Sequence, residues 1–194
     1  MKQKGLTFLK RLLSLCLVLC IVVSFSACAG EMSPVENALI AVKGMDMDAF
    51  SSQMTSDSEV ALSRMISTFK TSVDEEERET LKGLYGLIRY TMGEEIEGKS
   101  GEKTVAVTVK IPDMARVRTL AEKKILVSAE TANVVISDMI ASGEIAGYYM
   151  LDKTFQIKVI EEDGKWLILY NDKANADFVS ALYLAEMMTF FAQN

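Results

Sequence analysis

The chain has 194 residues, a formal net charge of −6, three cysteines and no histidine. The absence of histidine excludes a Ser-His-Asp or Cys-His catalytic triad and a proton shuttle through imidazole near neutral pH. Hydrophobic residues make up 49% of the chain and charged residues 25%, which is typical of a globular protein, and the length predicts one domain with at most an appendage.

The first 27 residues have the pattern of a secretory signal peptide. Residues 1–11 contain four basic side chains and no acidic one, and residues 12–25 form an apolar run with Ser14 and Ser24 as its polar members. A basic segment followed by an apolar one is the beginning of an export signal. An apolar run of about 14 residues is shorter than the roughly 20 that cross a bilayer as a helix, so we expect residues 1–27 to be removed.

The segment Ser26-Ala27-Cys28 follows this run and resembles the lipobox of bacterial lipoproteins, in which small residues precede a cysteine. The resemblance implies that signal peptidase II cuts between Ala27 and Cys28 and that the Cys28 thiol carries a diacylglycerol thioether. It also implies acylation of the new amino terminus, with palmitate as an expected chain. Two acyl chains suffice for stable attachment to a membrane. The alternative is an ordinary signal peptide cut after Ala27, which leaves Cys28 as a free thiol.

The lipoprotein interpretation predicts a compartment and a surface chemistry for the mature chain. We expect it on the outer face of the bacterial cell membrane, with residues 28–34 as a lipidated tether and residues 35–194 as one folded domain. Cys16 and Cys20 lie in the signal, so the mature domain has no thiol for a disulfide or a nucleophile. Loss of four signal bases leaves 17 basic against 27 acidic side chains, a formal charge of −10. This charge disfavours nucleic acid and anionic headgroups, so the lipid is the expected attachment.

The apolar side chains of residues 35–85 recur at intervals of three and four, which predicts several short helices. Ser33 before Pro34 favours a helix start, and Gly44 favours a helix end. The acidic run at residues 74–77 lies where carboxylates stabilise a helix amino terminus, so it predicts the start of a later helix. The first third of the domain is therefore expected to be helical.

Near Gly86 the apolar periodicity changes from three and four residues to two, which is the period of a β-strand. Residues 88–96 and 104–111 alternate in this way on either side of a glycine-containing turn at residues 98–101. In the second of these runs, valines and isoleucine face one way and polar side chains face the other. The two runs together predict a β-hairpin.

A helical pattern of about 28 residues follows between Asp113 and Gly143. It is long for a helix of a globular domain, so a break within it is the alternative to one long helix. Residues 149–161 and 166–170 then alternate with a period of two around an Asp-Gly pair, the strongest short hairpin signal. Residues 175–191 have the pattern of a last amphipathic helix. This order predicts an α+β domain with N-terminal helices, about four antiparallel strands in two hairpins around a long helix, and a C-terminal helix.

Three segments of this pattern resemble small bacterial lipoproteins of unknown function with a nuclear transport factor 2-like, or cystatin-like, α+β domain. They are VAVTVKIPD at residues 105–113, FQIKVIEEDGKWLIL at residues 155–169, and Asn175-Ala176-Asp177-Phe178. The resemblance implies a cone in which a curved sheet and the front helices enclose a cavity. Some relatives use this cavity for a small ligand and others leave it filled, so the resemblance implies an architecture and no reaction.

Four aromatic residues on or beside the predicted strands are candidates for a ligand pocket: Tyr90, Tyr149, Trp166 and Tyr170. Amphipathic rings that line a concave sheet bind apolar or peptide-like ligands and orient them through their polar tips. Ordinary core packing explains the same residues, so both interpretations stay open. The sequence holds no complete calcium-loop motif, and we expect no metal and no cofactor.

Two functions follow as hypotheses. The first is a non-enzymatic, lipid-anchored surface module that binds a small hydrophobic molecule, a peptide or an envelope protein through the cavity or an open sheet edge. The alternative is a carboxylate-dependent hydrolase of the cell envelope, built from two of the acidic clusters at residues 74–77, 94–97 and 161–163. The lack of histidine, and of a thiol in the mature domain, favours the first hypothesis.

Overall fold

A computed structural model describes residues 33–98 and 101–182. The described residues belong to one compact unit, and residues 1–32, 99–100 and 183–194 lie outside them. The predicted signal peptide and the lipidation site Cys28 therefore also lie outside the described residues, as does the predicted last helix beyond Leu182. Among the helices that the structure describes, none combines the length and the apolar character needed to cross a membrane.

Helices make up the front third of the described domain, as the sequence predicts. They are α1 (Pro34–Lys43), α2 (Met47–Ser51), a 3-10 turn (Ser56–Ser58), α3 (Glu59–Ser72) and α4 (Glu75–Gly86). Short polar side chains fix where they begin. The hydroxyl of Ser33 accepts a hydrogen bond of 3.3 Å from the backbone N–H of Val35. Asp74 and Glu77 form a reciprocal capping box at the start of α4, so this acidic cluster satisfies backbone donors that the helix itself cannot pair.

The described residues contain one sheet of four antiparallel strands in chain order. They are β1 (Arg89–Glu97), β2 (Glu102–Pro112), β3 (Met150–Glu162) and β4 (Lys165–Ile168). Both predicted hairpins are present, β1 with β2 and β3 with β4. The hairpins are joined by β2 and β3, which pair without interruption from Glu102 opposite Ile160 to Pro112 opposite Met150. This central pairing turns two separate hairpins into one sheet.

The single helix predicted for residues 113–143 is three consecutive helices in the structure. They are α5 (Met114–Ser128), α6 (Ala132–Ala141) and α7 (Glu144–Tyr148). The chain turns at Ala129 and at Gly143, where the φ angles are 58° and 74°. A residue in this left-handed conformation ends an α-helix. Glycine at the second turn is an expected signal, whereas alanine is the best helix former, so the first break is invisible in the sequence.

One face of the sheet is buried under the helices and the other is open. The buried row on β2 consists of Val105, Val107, Val109 and Ile111, each at most 2% exposed. On the opposite face, Thr108 and Thr154 are exposed and share a hydrogen bond of 3.0 Å between their hydroxyls. The predicted period of two along β2 is therefore confirmed, and the α+β class with it.

The short strand β4 is covered along its outer edge by the segment that follows α2. The backbone N–H of Thr55 donates to the carbonyl of Ile168 at 3.0 Å, and the N–H of Ile168 donates to the carbonyl of Gln53 at 2.8 Å. These bonds satisfy backbone groups that would otherwise template pairing with another chain. The edge of the sheet at β4 is thereby closed.

The side chain of Asn175, on α8 (Lys173–Ala181), continues the ladder where β4 ends. The N–H of Lys158 donates to Oδ1 of Asn175 at 2.9 Å. Nδ2 of Asn175 donates to the carbonyls of Lys158 and Leu169 at 2.8 Å and 2.7 Å. Asn175 has no exposed surface. Because this amide takes the position beside β3, the return strand ends at Ile168, and Tyr170, which the sequence places on that strand, lies beyond it.

Replacement of this amide tests its part in closing the sheet. Asn175→Ala leaves the backbone N–H of Lys158 and the carbonyl of Leu169, both part-buried, without these partners, so we expect the free energy of unfolding to fall by about 2 kcal/mol. Urea denaturation followed by circular dichroism measures the change. The control Ser180→Ala, at an exposed position of the same helix, should change the free energy by no more than about 0.5 kcal/mol. Equal effects of the two substitutions would contradict the assignment.

Candidate functional site

Tyr90 lies on β1 and joins this edge of the sheet to α1. Its hydroxyl donates to Oε1 of Glu36 at 3.2 Å, and Nζ of Lys43 lies 5.7 Å from the centroid of its ring. Burial, followed by the charge and the hydrogen bond of Glu36, raises the pKa of Tyr90 above its ordinary value. The polar tip of this pocket candidate is thus already paired within the fold.

Trp166 lies on β4 at the other edge of the sheet, under a lysine from β2. Nζ of Lys103 is 4.3 Å from the centroid of the indole ring and 2.6 Å from Oε1 of Glu95. An ammonium group at this distance over an aromatic face is attracted by the negative face of the ring. The ring face is therefore covered by a side chain that is itself held in an ion pair.

The structure places Tyr90 and Trp166 at opposite corners of the sheet. Tyr90 is opposite Val109 of β2, which is opposite Lys153 of β3, whereas Trp166 is opposite Glu161 of β3. Lys153 and Glu161 are eight residues apart and β1 and β4 are three strand spacings apart, which separates the rings by roughly 30 Å. These two candidates are too far apart to line one pocket.

Tyr170 follows β4 and takes part in a polar network with the segment after α2. Its backbone N–H donates to Oγ1 of Thr55 at 3.1 Å. The hydroxyl of Thr55 donates to Asp57, which also accepts a hydrogen bond from the side-chain amide of Asn171. Thr55 is only 3% exposed. This network holds the covering segment against the end of β4.

Tyr149 follows α7 and borders a cavity of about 350 Å³. The cavity is lined by Ala115, Arg116, Thr119, Leu120, Lys123 and Tyr149. The ring of the neighbouring Tyr148 is 78% exposed and packs edge-on against Tyr149, with ring centroids 6.5 Å apart. The structure therefore disperses the four aromatic candidates, and Tyr149 is the one that lines a cavity formed by described residues. Ligand binding at this cavity stays a prediction.

The acidic clusters have partners within the fold. The hydrogen bond to Glu95 is the first cause that raises the pKa of Lys103, and the charges of Glu95, Glu97 and Glu161 add to it. Two of the clusters thus surround one lysine, while the cluster at residues 74–77 caps α4. Within the part of the chain that the structure describes, no three Asp, Glu, Cys or His side chains form a group that could hold a metal ion.

A groove that the sequence does not reveal runs between α4 and α6. Oγ1 of Thr80 and Oγ of Ser137 are 3.0 Å apart, and a Cβ built on Gly83 would lie 3.4 Å from Cδ1 of Ile140. Because both contacts advance along the two helices together, α4 and α6 run parallel to one another. Such a Cβ would make an ordinary contact with the end of the Ile140 side chain, and Gly83 itself lines the open groove between the two helices.

The groove between α4 and α6 has a volume of about 580 Å³ and an acidic rim. Glu76 and Glu79 line it from α4 and Asp138 lines it from α6, and the described residues that line it include no lysine or arginine. Oδ1 of Asn133, another lining residue, is buried and has no hydrogen-bond partner among the described residues. Val134 adds an apolar side chain that is 45% exposed. The lining therefore offers hydrogen-bond acceptors and negative charge.

A second groove, of about 450 Å³, lies on the other side of α6 against the end of α5. Asp138 lines both grooves. Leu126 and Val127, on the last turn of α5, are 86% and 89% exposed, and Val127 also lines this groove. Helix α6 thus separates the two grooves, and the exposed aliphatic side chains of Leu126 and Val127 lie at the end of α5 beside the second groove. We call this region, centred on Asp138, Val134 and Val127, the α6 surface.

The α6 surface has no counterpart in the sequence-based expectations, since it depends on the break at Ala129. A continuous helix over residues 113–143 would not return beside α4. One signal is present in the sequence, however. Leu126 and Val127 fall outside the apolar stripe that includes Ala121 and Ile125, and adjacent aliphatic residues outside the buried stripe of a helix indicate an exposed apolar patch.

The fold and these grooves define the class as an α+β domain with a four-stranded antiparallel sheet and several helices. Comparison with protein-family models found no match, and comparisons with curated proteins and with solved structures found none either. Function therefore has to be inferred from the residues and geometry of this chain itself.

The environment of Tyr90 is testable by ultraviolet titration of the tyrosines. We expect Tyr90→Phe to remove a phenol that titrates above the ordinary value of 10.0. Glu36→Gln should lower the pKa of Tyr90 only part of the way, because burial is the largest cause of the shift. The stability contributed by the neutral phenol is present below its ordinary pKa and is lost as the pH rises through the raised value.

The control for this titration is Tyr148→Phe, since the ring of Tyr148 is 78% exposed. The Tyr148→Phe substitution should leave unchanged the part of the ultraviolet titration that is assigned to Tyr90. The hydroxyl of Tyr85 is also buried and is present in every variant, so the comparison is between amplitudes. An absorbance change at high pH that is as large in Tyr90→Phe as in the parent protein would contradict the assignment.

Proposed function

We propose that the chain is exported as a lipoprotein and that its folded domain is a non-enzymatic module that binds a partner at the outer face of the cell membrane. The observation that carries the proposal is Ser26-Ala27-Cys28 directly after a basic segment and a short apolar run. Lipidation at Cys28 would supply the attachment, since a mature charge of −10 disfavours adsorption to anionic headgroups.

The start of the folded domain supports this arrangement. Helix α1 begins at Pro34, and its amino terminus is capped by Ser33. A tether of residues 28–34 would span at most roughly 20 Å when fully extended, so the domain would stand close to the lipid surface. Cys28 precedes the capping residue Ser33 by five positions in the sequence, which would leave a short linker between the lipid and the first helix.

A binding role is supported by what the described surface offers. The α6 surface is open, carries acceptors and charge, and exposes aliphatic side chains. Catalysis by imidazole or by a thiol is unavailable to the mature domain, because the chain has no histidine and its other cysteines precede Cys28. Lys103 and the cap of α4 engage carboxylates from all three acidic clusters that a hydrolase would draw upon.

The nuclear transport factor 2-like, or cystatin-like, architecture is part of the same proposal. Its support is the order of the elements, with front helices, a hairpin, helices, a second hairpin and a closing helix, and with helices packed on one face of the sheet. Under this architecture the sheet and the front helices would enclose a cavity, which some relatives use for a small ligand and others leave filled.

The anchor is tested by substitution of the lipidated thiol. Cys28→Ser should move the protein out of the membrane fraction or leave an uncut precursor, because no thioether can form. Cell fractionation and the intact mass of the mature protein measure the result. Cys20→Ser is the matched control, since it removes a thiol from the same apolar segment, and it should leave processing and membrane attachment unchanged.

Unchanged membrane retention of Cys28→Ser with normal processing would reject the anchor. A native protein that begins at a residue other than position 28, or that carries no acyl mass there, would reject it as well.

A further inference from the structure

We propose that the α6 surface is a docking site for a segment of a partner protein that carries lysine or arginine together with aliphatic side chains. The proposal rests on the proposed function, because it takes the domain to be a binding module. It adds which surface binds and what chemistry the partner presents.

The charge of the surface is the first argument. Asp138 stands between the two grooves, and Glu76 and Glu79 face it across the groove between α4 and α6. Lys82 lies 3.5 Å from Glu79 on the same helix, whereas Glu76 and Asp138 have no ion-pair partner among the described residues. A cationic side chain in the groove between α4 and α6 would meet carboxylates from both walls. These carboxylates disfavour an anionic segment in that groove, whereas Lys123 and Lys124 line the second groove together with Asp138.

The apolar side chains are the second argument. Leu126 and Val127 are almost fully exposed, and Val134 is 45% exposed on α6 itself. Adjacent exposed aliphatic residues rimmed by polar groups are typical of a contact surface. A lysine or arginine packs its aliphatic stem on apolar surface while its charged end reaches a carboxylate. The groove provides both features, since Val134 and Asp138 line it together.

An unpaired acceptor points in the same direction. Oδ1 of Asn133, in the lining of the groove between α4 and α6, has no hydrogen-bond partner among the described residues. A buried acceptor without a partner destabilises the free protein. Lysine and arginine side chains are donors without acceptor groups, which matches this lining.

The extent of the surface favours a polypeptide over a small molecule. Ten residues of α6 span about 15 Å, and the two grooves lie on its opposite sides. Small-molecule sites enclose most of the ligand, whereas an open groove beside a helix suits side chains spaced along a peptide.

The test uses the full chain in detergent. Fluorescence anisotropy measures the affinity of this chain for each of three labelled peptides of equal length. The first peptide contains leucine and lysine, and the second contains leucine and glutamate. The third contains glycine, serine and lysine. We expect the leucine-lysine peptide to bind most tightly and the leucine-glutamate peptide not to bind. Asp138→Asn should weaken binding of the first peptide about two- to fivefold, as expected for one exposed ion pair. The control Asp152→Asn, on the open face of the sheet, should weaken binding of the leucine-lysine peptide by a smaller factor.

A blocking variant tests the position of the site. Ala141→Arg places a cation at an exposed lining position of the groove between α4 and α6, so it should weaken binding by about tenfold or more through repulsion. Gln156→Arg, on the open face of the sheet, is the matched control and should have little effect.

Val127→Ser tests the apolar contribution and should weaken binding of the leucine-lysine peptide. The control Ile96→Ser, at a position that is 57% exposed, should not weaken it.

Four results would overturn the proposal. Equal weakening by Asp138→Asn and Asp152→Asn would indicate general attraction to an acidic protein. Complete displacement of the peptide by equimolar spermidine would indicate a small polycation as the ligand. A dimer in sedimentation that Ala141→Arg dissociates would make a second copy the occupant. Equal binding of the glycine-serine-lysine peptide would remove the apolar component.

The outcome is separable from that of the anchor experiment. Loss of peptide binding with unchanged membrane attachment would reject the docking surface and leave the lipoprotein proposal in place. Peptide binding by a chain that is not lipidated at Cys28 would reject the anchor and leave the docking surface.

Discussion

The pairing of β2 with β3 is the interaction on which the rest of the domain depends. It is the longest ladder of the described sheet and joins strands separated by the three helices α5, α6 and α7. Because β2 buries a row of β-branched side chains on one face only, these helices have to pack on that face to remove the row from water. Once they do, the front helices and α8 complete one layer over one side of the sheet, and the opposite side is left polar and exposed.

The position of α6 follows from the same constraint and produces the grooves. A connection between neighbouring antiparallel strands starts and finishes at the same end of the sheet. The turns at Ala129 and Gly143 allow the chain to make this connection within the helical layer. Helix α6 then lies parallel to α4, with the hydroxyls of Thr80 and Ser137 3.0 Å apart. The remaining space above Gly83 is the groove between α4 and α6. The acidic and aliphatic lining of this groove is therefore a consequence of how the connection between β2 and β3 folds. Under the proposed function, a partner binds to this surface.

Attachment and recognition are physically independent in this proposal. The anchor would depend on one thiol and its lipid, outside the described domain, whereas recognition would depend on charges and apolar side chains of α4, α5 and α6. The acidic mature chain separates the two roles further, since its charge opposes adsorption to anionic lipid and favours a cationic partner. A domain held close to the membrane by a short tether would then present its grooves to proteins of the cell envelope.

The sequence by itself determined the elements whose evidence is local. Apolar periods of two and of three to four residues predicted the four strands and the front helices, and the Asp-Gly pair predicted the second hairpin, because these patterns follow from the geometry of a single strand, helix or turn. The lipobox resemblance at Cys28 is likewise contained in adjacent residues. Only the tertiary structure decided that β2 pairs with β3, that Asn175 replaces the end of β4, that Tyr90 and Trp166 lie at opposite corners, and that α6 returns beside α4. These features depend on contacts between residues far apart in the chain, and Ala129, the residue at the decisive turn, has a helical propensity that predicts the opposite of what packing imposes.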